Sequence, residues 1–312
     1  MKTPSRAAIV AAFAAIYLVW GSTYLAIRFA VETIPPFLMA GTRHLAAGAM
    51  LYAFARRRGA AAPTPRNWKA AAAIGELLLL GGNGLVSWAE TRMPSGPAAL
   101  IVASVPLWMV ALSAAGERRR PPIPVFAGLV AGLAGIAILV LPHGGGDAVP
   151  PLPAAALVLA ALFWSIGSLR SRSAALPKDT ILATAMEAIA GGAALWIAGL
   201  AGGEGAALHP GEVTRVSLLA LGYLVLFGSV VGFSAYVWLL KIAAPERVST
   251  YAFVNPIVAV LLGVMLGGEV LTLRIALAGV AVVGAVSLIL VFGRSRPAEA
   301  SEPLPRPAAA AE

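Results

Sequence analysis

The sequence predicts an all-α integral membrane protein with ten transmembrane helices arranged as two inverted five-helix repeats. The 312 residues are 59% hydrophobic and only 12% charged, which is more apolar side chain than a water-soluble protein can hide. The apolar runs match the hydrocarbon core of a bilayer, which takes about 20 residues of helix. In addition, residues 88–117 and 238–269 resemble one another.

Apolar runs separated by short loops rich in Pro, Gly or Arg define the predicted helices. The first run is longer than the apolar part of a signal peptide and lacks a small-residue cleavage site after it, so we interpret it as a helix. The predicted helices lie at about 8–28, 37–55, 70–88, 97–115, 122–141, 153–170, 180–201, 216–240, 248–267 and 272–292.

Basic residues predict the orientation of these helices. With the N-terminus in the cytoplasm, most of the 23 Lys and Arg residues lie on the inner side, including those of the loops at 56–69, 117–121 and 170–178. The positive-inside rule therefore predicts that both termini are cytoplasmic. The net charge of +9 reflects these orientation signals, and we expect no nucleic-acid partner.

The two similar stretches indicate a duplication. Each runs from a Trp into an apolar span with a proline near its middle, Pro106 or Pro256, and ends in Gly-Glu, at Glu117 or Glu269. Because five spans is an odd number, the second copy enters the membrane from the opposite side. The two glutamates are therefore predicted at opposite faces, Glu117 inside and Glu269 outside.

The same duplication sets the predicted domain boundaries. Trp20 aligns with Trp164 at nearly the same offset as the paired prolines. We predict one repeat at residues 1–147 and an inverted repeat at 148–293. Residues 294–312 are rich in Pro, Ala and Glu, which predicts a disordered cytoplasmic tail.

The chain resembles the EamA branch of the drug/metabolite transporter superfamily over about residues 8–292. The WGSTY stretch at 20–24, the proline and small-residue pattern of the fourth and ninth spans, and both Gly-Glu pairs carry the resemblance. It implies a ten-helix basket whose central cavity is lined mainly by the first, third and fourth spans of each half. It also implies export of amino acids, aromatic ones among them, and other small metabolites from bacteria. One departure is WSIG at 164–167, where the first copy has WGST.

Aromatic and amide side chains are the candidates for a cavity lining. Aromatic rings give an apolar wall with polar tips, suited to small amphipathic solutes. The alternatives are an interfacial aromatic belt, which we favour for Trp88 and Trp238, and interhelical hydrogen bonding by the amides. The candidates are Trp20, Tyr24, Asn83, Trp108, Trp164, Tyr236, Tyr251 and Asn255.

Pro106 and Pro256 are predicted to kink their helices. Proline lacks a backbone N–H and crowds the carbonyl four residues back. The kinks either shape and gate the cavity or serve packing alone.

Arg43, Glu76 and Glu187 are ionisable residues predicted within spans, where burial is costly and commonly functional. In one interpretation they form structural ion pairs, and in the other Glu76 or Glu187 takes up a proton during transport. The candidate pairs are Arg43 with Glu32 or Glu90, and Glu187 with Arg170 or Arg172.

Several other functions are disfavoured by composition. The chain has no cysteine and only three scattered histidines, so we expect no metal and no cofactor. An enzyme acting on lipid-like substrates would need clustered His, Asp or Glu, and a passive channel would need a polar stripe or a ring of charge. We therefore expect a transporter of the bacterial inner membrane whose partners are a small-molecule substrate and lipids, with uncoupled facilitation left open.

Two Gly-x-x-x-Gly pairs, at 128–132 and 263–267, allow close helix approach. We interpret them as packing within the chain, and expect a monomer or a weak homodimer.

The orientation can be tested with reporter fusions. Fusions placed after Arg120 and after the C-terminus should both report a cytoplasmic location, because both positions follow basic segments. A reporter after residue 143 serves as the external control. If either of the first two fusions reports the outer side, the inverted repeat is wrong.

Overall fold

The computed structural model describes residues 5–117, 122–141, 149–242, 248 and 250–292. The regular structure of this part of the chain is helical throughout. The predicted tail at 294–312 and the triplet at 118–120 lie outside the described residues. The long helices are α1 Arg6–Ala30, α2 Pro36–Arg57, α3 Pro65–Glu90, α4 Ser95–Gly116, α5 Ile123–Val140, α6 Pro151–Ser171, α7 Thr180–Ala201, α8 Arg215–Tyr236 with its continuation to Ile242, α9 Tyr251–Leu266 and α10 Leu273–Phe292.

Seven of these helices are long and apolar enough to cross a membrane, namely α1 and α3 to α8. Residues Tyr251–Leu266 and Leu273–Ile289 form shorter apolar helices, and α2 carries polar residues Thr42, Arg43 and His44 in its interior. Large apolar side chains such as Ile123 and Leu219 face outward, as expected for a surface in contact with lipid. The all-helical membrane fold is as predicted, whereas the inverted arrangement of ten helices stays a prediction.

Helix starts coincide with proline and capping residues. Proline stands in the first turn of α2, α3, α5 and α6, where its missing N–H has no intrahelical partner to lose. Thr64 and Asn67 form a capping box at α3, and Asp179 accepts a hydrogen bond from the Leu182 amide at α7. These local signals account for the good agreement between predicted and observed bounds.

The helices pack in symmetric sets. The most extensive contacts are those of α2 with α7 and of α5 with α10. Three sets of equivalent pairs follow. α1 packs against α8 as α6 packs against α3. α1 also packs against α9 as α6 packs against α4, and α2 packs against α8 as α7 packs against α3. If each helix is exchanged with the helix five places away in the chain, every pair is converted into another pair of this set or into itself.

Glycines bring helix backbones into direct contact. A Cβ placed on Gly75 of α3 would lie 2.4 Å from the Glu187 carbonyl oxygen of α7, and one on Gly191 would lie 2.5 Å from the Gly75 carbonyl oxygen. On the other side of α7, a Cβ on Gly192 would lie 2.9 Å from the Leu45 amide nitrogen of α2. Such approaches suit a lipid environment, where van der Waals contact holds helices together.

The two Gly-x-x-x-Gly pairs also serve packing within the chain. A Cβ on Gly128 or Gly132 would meet Ala285 of α10 at 3.1 to 3.2 Å. A Cβ on Gly263 would lie 2.6 Å from the Glu269 carboxylate, and one on Gly267 would lie 2.7 Å from Leu25 of α1. Both Gly-x-x-x-Gly faces are therefore packed against other parts of the same chain.

The two prolines act differently in the structure. α4 is broken at residues 103 and 104, and Pro106 lies in the first turn of a new segment, Val105–Glu117. The hydroxyl of Ser104 donates to the Ile101 carbonyl at 2.6 Å, which ends the first segment, Ser95–Val102. Pro256 instead lies inside a continuous α9. A bend of α9 at Pro256 and a gating role of either proline stay predictions; the sequence did not predict the Ser104 hydrogen bond that accompanies the break in α4.

Substitution of Gly75 tests the backbone contact between α3 and α7. We expect Gly75→Ala to lower the free energy of unfolding by about 1 to 3 kcal/mol, because the neighbouring atoms are backbone and cannot rotate away. Gly284→Ala is the matched control, since a Cβ there meets nothing within 4 Å. Thermal unfolding in detergent measures both, and equal effects of the two changes would contradict the packing argument.

Candidate functional site

Three helices contain π-helical segments. They are Ala15–Val19 in α1, Glu76–Gly84 in α3 and Leu224–Val231 in α8. Those of α3 and α8 occupy corresponding positions in the two halves. Segments of this kind are rare and concentrate at functional sites. They were not predicted from the sequence, although the run Gly-Gly-Asn-Gly at 81–84 is a visible signal of irregular helix.

The α8 segment lies beside an aromatic cluster formed by Trp20, Tyr236 and Tyr251. The ring centroids of Trp20 lie 5.2 Å from Tyr236 and 5.0 Å from Tyr251. The Trp20 indole N–H donates to the Gly228 carbonyl at 3.1 Å, and a Cβ on Gly232 would lie 2.5 Å from that indole nitrogen. Three predicted cavity residues thus meet at the junction of α1, α8 and α9.

Asn255 lies one turn beyond Tyr251 and is buried. With the amide nitrogen facing its acceptors, it donates to the Tyr17 and Tyr251 carbonyls at 3.2 Å each. The hydroxyl groups of Tyr17 and Thr250 also bond to one another. These contacts join the start of α9 to α1.

A second group of candidates lies where α3, α4 and α6 meet. The Trp164 ring covers Gly82 of the α3 π segment, where a Cβ would lie 2.9 Å from the ring. The Trp108 indole N–H is buried without a hydrogen-bond partner among the described residues. Asn83 of the same π segment is partly exposed. A buried unpaired N–H is unusual and marks a place where a polar ligand atom could be bound.

The side chain of Arg43, a residue of α2, reaches α8. It is buried, and its Nε donates to the Ser229 hydroxyl at 3.0 Å, within the α8 π segment. Its neighbour His44 is also buried, with Nε2 unpaired within the described chain. The interior of α2 therefore presents polar groups towards the second half of the protein.

The other two predicted ionisable residues differ from Arg43. Glu76 is exposed and Glu187 is partly buried. The candidate pairs named from the sequence for Arg43 and Glu187 do not lie within ion-pair distance; among the described residues the ion pair is Arg28 with Glu269, at 2.8 Å. The role of Glu76 or Glu187 in proton uptake stays a prediction.

The Glu269 carboxylate forms a clasp with Arg28, Ser95 and Gly96. Its Oε1 accepts from the Arg28 guanidinium at 2.8 Å and from the Ser95 amide and hydroxyl at 2.7 Å each. Its Oε2 accepts from the Gly96 amide at 2.9 Å. The carboxylate satisfies free N–H groups at the start of α4, where the helix dipole favours a negative charge. The clasp ties the chain after α9 to α1 and α4.

Glu90, at the end of α3, was named from the sequence only as one possible partner of Arg43. The structure places it in the interior, 3% exposed, and neither carboxylate oxygen has a hydrogen-bond partner among the described residues. It interacts electrostatically with Arg28, Arg43 and Glu269. From the sequence, an acid at the end of an apolar run looks like an interfacial residue, so its burial was not predictable.

The remaining aromatic residues named from the sequence are Tyr24 and the two predicted belt residues, Trp88 and Trp238. Tyr24 is partly buried, packs with the main apolar core and lies within electrostatic range of Glu90. Trp88 lies under the Arg92 guanidinium, 4.2 Å from the ring centroid, beside a pocket of about 460 Å³ that Glu32 and Glu204 also line. Trp238 packs against an apolar cluster that includes Leu239 of α8 and Ile16 of α1.

Comparison with known proteins identifies the family. The model of the EamA-like transporter family matches residues 6–141 and 152–291. The chain belongs to this family. The transporter is 42% identical over 259 residues to an inner membrane transporter of Escherichia coli K12, YedA, covering 83% of this chain and 82% of that one. It is 24% identical to the transporter YvbV of Bacillus subtilis, covering 95% of both chains.

A solved structure has the same fold. A crystal structure with 24% sequence identity superposes with a TM-score of 0.61 and covers 93% of this chain and 99% of its own. Together these findings make the protein a multi-pass membrane transporter with a relative in the inner membrane, in a family of transporters rather than enzymes.

Removal of the clasp carboxylate tests its contribution to the fold. We expect Glu269→Ala to cost about 2 to 3 kcal/mol of unfolding free energy, because the Ser95 and Gly96 amides and the Arg28 guanidinium lose their acceptor. Arg28 is 32% exposed, which keeps the cost below that of a fully buried pair. Glu212→Ala, on an exposed turn, is the control, and a similar loss in both variants would remove the case for the clasp.

Proposed function

We propose that this transporter exports small amphipathic metabolites, with amino acids as the expected class, across the bacterial inner membrane by alternating access. In this proposal two inverted five-helix repeats, residues 1–147 and 148–293, exchange conformations around a central cavity. A substrate enters from the cytoplasm and leaves on the outer side.

The matched contacts of Trp20 and Trp164 carry the proposal. Trp20 of α1 lies on Gly232 of α8, and Trp164 of α6 lies on Gly82 of α3. α1 corresponds to α6 and α8 to α3, so the same contact occurs twice, each time between the two halves. The symmetric helix pairs and the division of the family match between α5 and α6 support the repeats further.

The packing of α4 supports alternating access. α6 packs against both segments of α4, whereas α1 and α9 pack against the first segment, Ser95–Val102. In the predicted orientation Ser95–Val102 is the outer half of α4. The outer side is therefore closed by α1, α4 and α9 together with the clasp. Inverted repeats reach the opposite state when the two halves exchange these conformations.

The chemistry of the two aromatic groups supports the substrate class. Trp20, Tyr236 and Tyr251 give an apolar wall with hydroxyl tips, and the unpaired Trp108 N–H is a donor for a carboxylate or carbonyl oxygen. Amino acids with apolar side chains combine these two requirements.

Transport in proteoliposomes tests the proposal. We expect counterflow of at least one radiolabelled amino acid into vesicles preloaded with the same amino acid, and failure with every amino acid would reject this substrate class. Trp20→Ala and Trp164→Ala should each reduce the rate about tenfold or more, because loss of one anchoring aromatic contact commonly costs over 1 kcal/mol. Trp68→Ala is the control, because Trp68 stacks on Tyr52 near the start of α3, away from both clusters, and should keep its rate.

A further inference from the structure

Glu90 occupies a position that neither packing nor ion pairing explains. Its carboxyl group is buried, and neither oxygen has a well-aligned hydrogen-bond donor within the described residues, although the Arg28 backbone lies close by. Two arginines are near, but Arg28 is bonded to Glu269 and the Arg43 Nε to Ser229. A buried charge without hydrogen bonds is strongly disfavoured. The arrangement therefore suits a carboxyl group that carries a proton.

The surroundings of Glu90 limit which groups can respond to it. α1 contributes Tyr24 and Arg28, α2 contributes Arg43, and the chain after α9 contributes Glu269. α4 contributes Ser95 of the clasp, and the single charged residue of α6, Arg170, lies in its last turn at the other end of that helix. Arg28 is the group shared with the clasp.

We propose that Glu90 binds the proton that couples transport, and that it controls the clasp through Arg28. With a proton bound, the Glu90 carboxyl is neutral, and Arg28 stays with Glu269, so the clasp is closed. When the proton leaves, the Glu90 carboxylate competes with Glu269 for the same guanidinium, and the clasp opens.

This scheme rests on the proposed transport function and specifies how a proton gradient drives it. A proton that binds from the outer side closes the clasp, and its release to the cytoplasm favours reopening towards the outside with substrate bound. One proton enters for each substrate exported. Glu76, which is exposed, has no comparable link to the clasp.

The clasp can be observed without any substrate. The chain has no cysteine, so spin labels can be attached to Thr91→Cys and Val270→Cys, which are exposed positions on either side of the clasp. Distance distributions between the labels are measured in nanodiscs from about pH 5 to about pH 9, the range in which buried carboxyl groups titrate. We expect the ratio of open to closed populations to rise about tenfold or more with pH.

Three further variants in the labelled background define the test. Glu90→Gln stays neutral, so the clasp should remain closed at every pH, whereas Glu269→Gln should leave it open at every pH. Glu212→Gln, at an exposed acid, is the matched control and should respond as the unmodified protein does. If Glu90→Gln does not fold, Glu90→Asp keeps a titrating group and should keep the response at a displaced pH.

The outcomes separate the two proposals. An unmodified protein whose label distances do not change with pH, or a Glu90→Gln variant that responds like it, overturns the role of Glu90. A pH response in a protein that transports no amino acid overturns the substrate class alone. Loss of both counterflow and the pH response in Glu90→Gln, with both retained in the control variant, is the result expected if both are correct.

Discussion

Close contact between helix backbones is the constraint on which this structure depends. In lipid, apolar side chains gain little by moving from the surrounding hydrocarbon to a neighbouring helix, so association relies on dispersion contacts and hydrogen bonds. Gly75, Gly191 and Gly192 provide such contacts along α7. They hold α2, α3 and α7 in direct backbone contact.

The irregularities concentrate where the two halves meet. π-helical segments interrupt α1, α3 and α8, and α4 is broken near Pro106. Each irregularity leaves backbone groups to be satisfied by other elements, as when Gly228 accepts from Trp20. These irregular segments are therefore the parts of the molecule best able to change conformation.

The sequence was sufficient for the helix bounds, the membrane class and the family, because apolar length, capping residues and basic loops are local signals. From the sequence, Trp20, Tyr236 and Tyr251 were all candidates for a cavity lining, and the structure places their rings in contact. The sequence could not predict that Glu90 is buried or that Glu269 caps α4. Both facts depend on contacts between residues far apart in the chain, as does the difference between Pro106 and Pro256.

Burial of the Glu269 carboxylate, which is 5% exposed, has a consequence for the conditions in which the protein works. Dissolved salt screens charges that face water over about 10 Å, but it has little effect on pairs enclosed by protein. In the proposed orientation the clasp lies on the outer side of the membrane, where ionic strength changes widely. Because the Glu269 carboxylate is buried, its hydrogen bonds to Ser95 and Gly96 should respond less to salt than a surface ion pair does. A gate closed by this carboxylate, as proposed above, would be controlled mainly by groups within the protein.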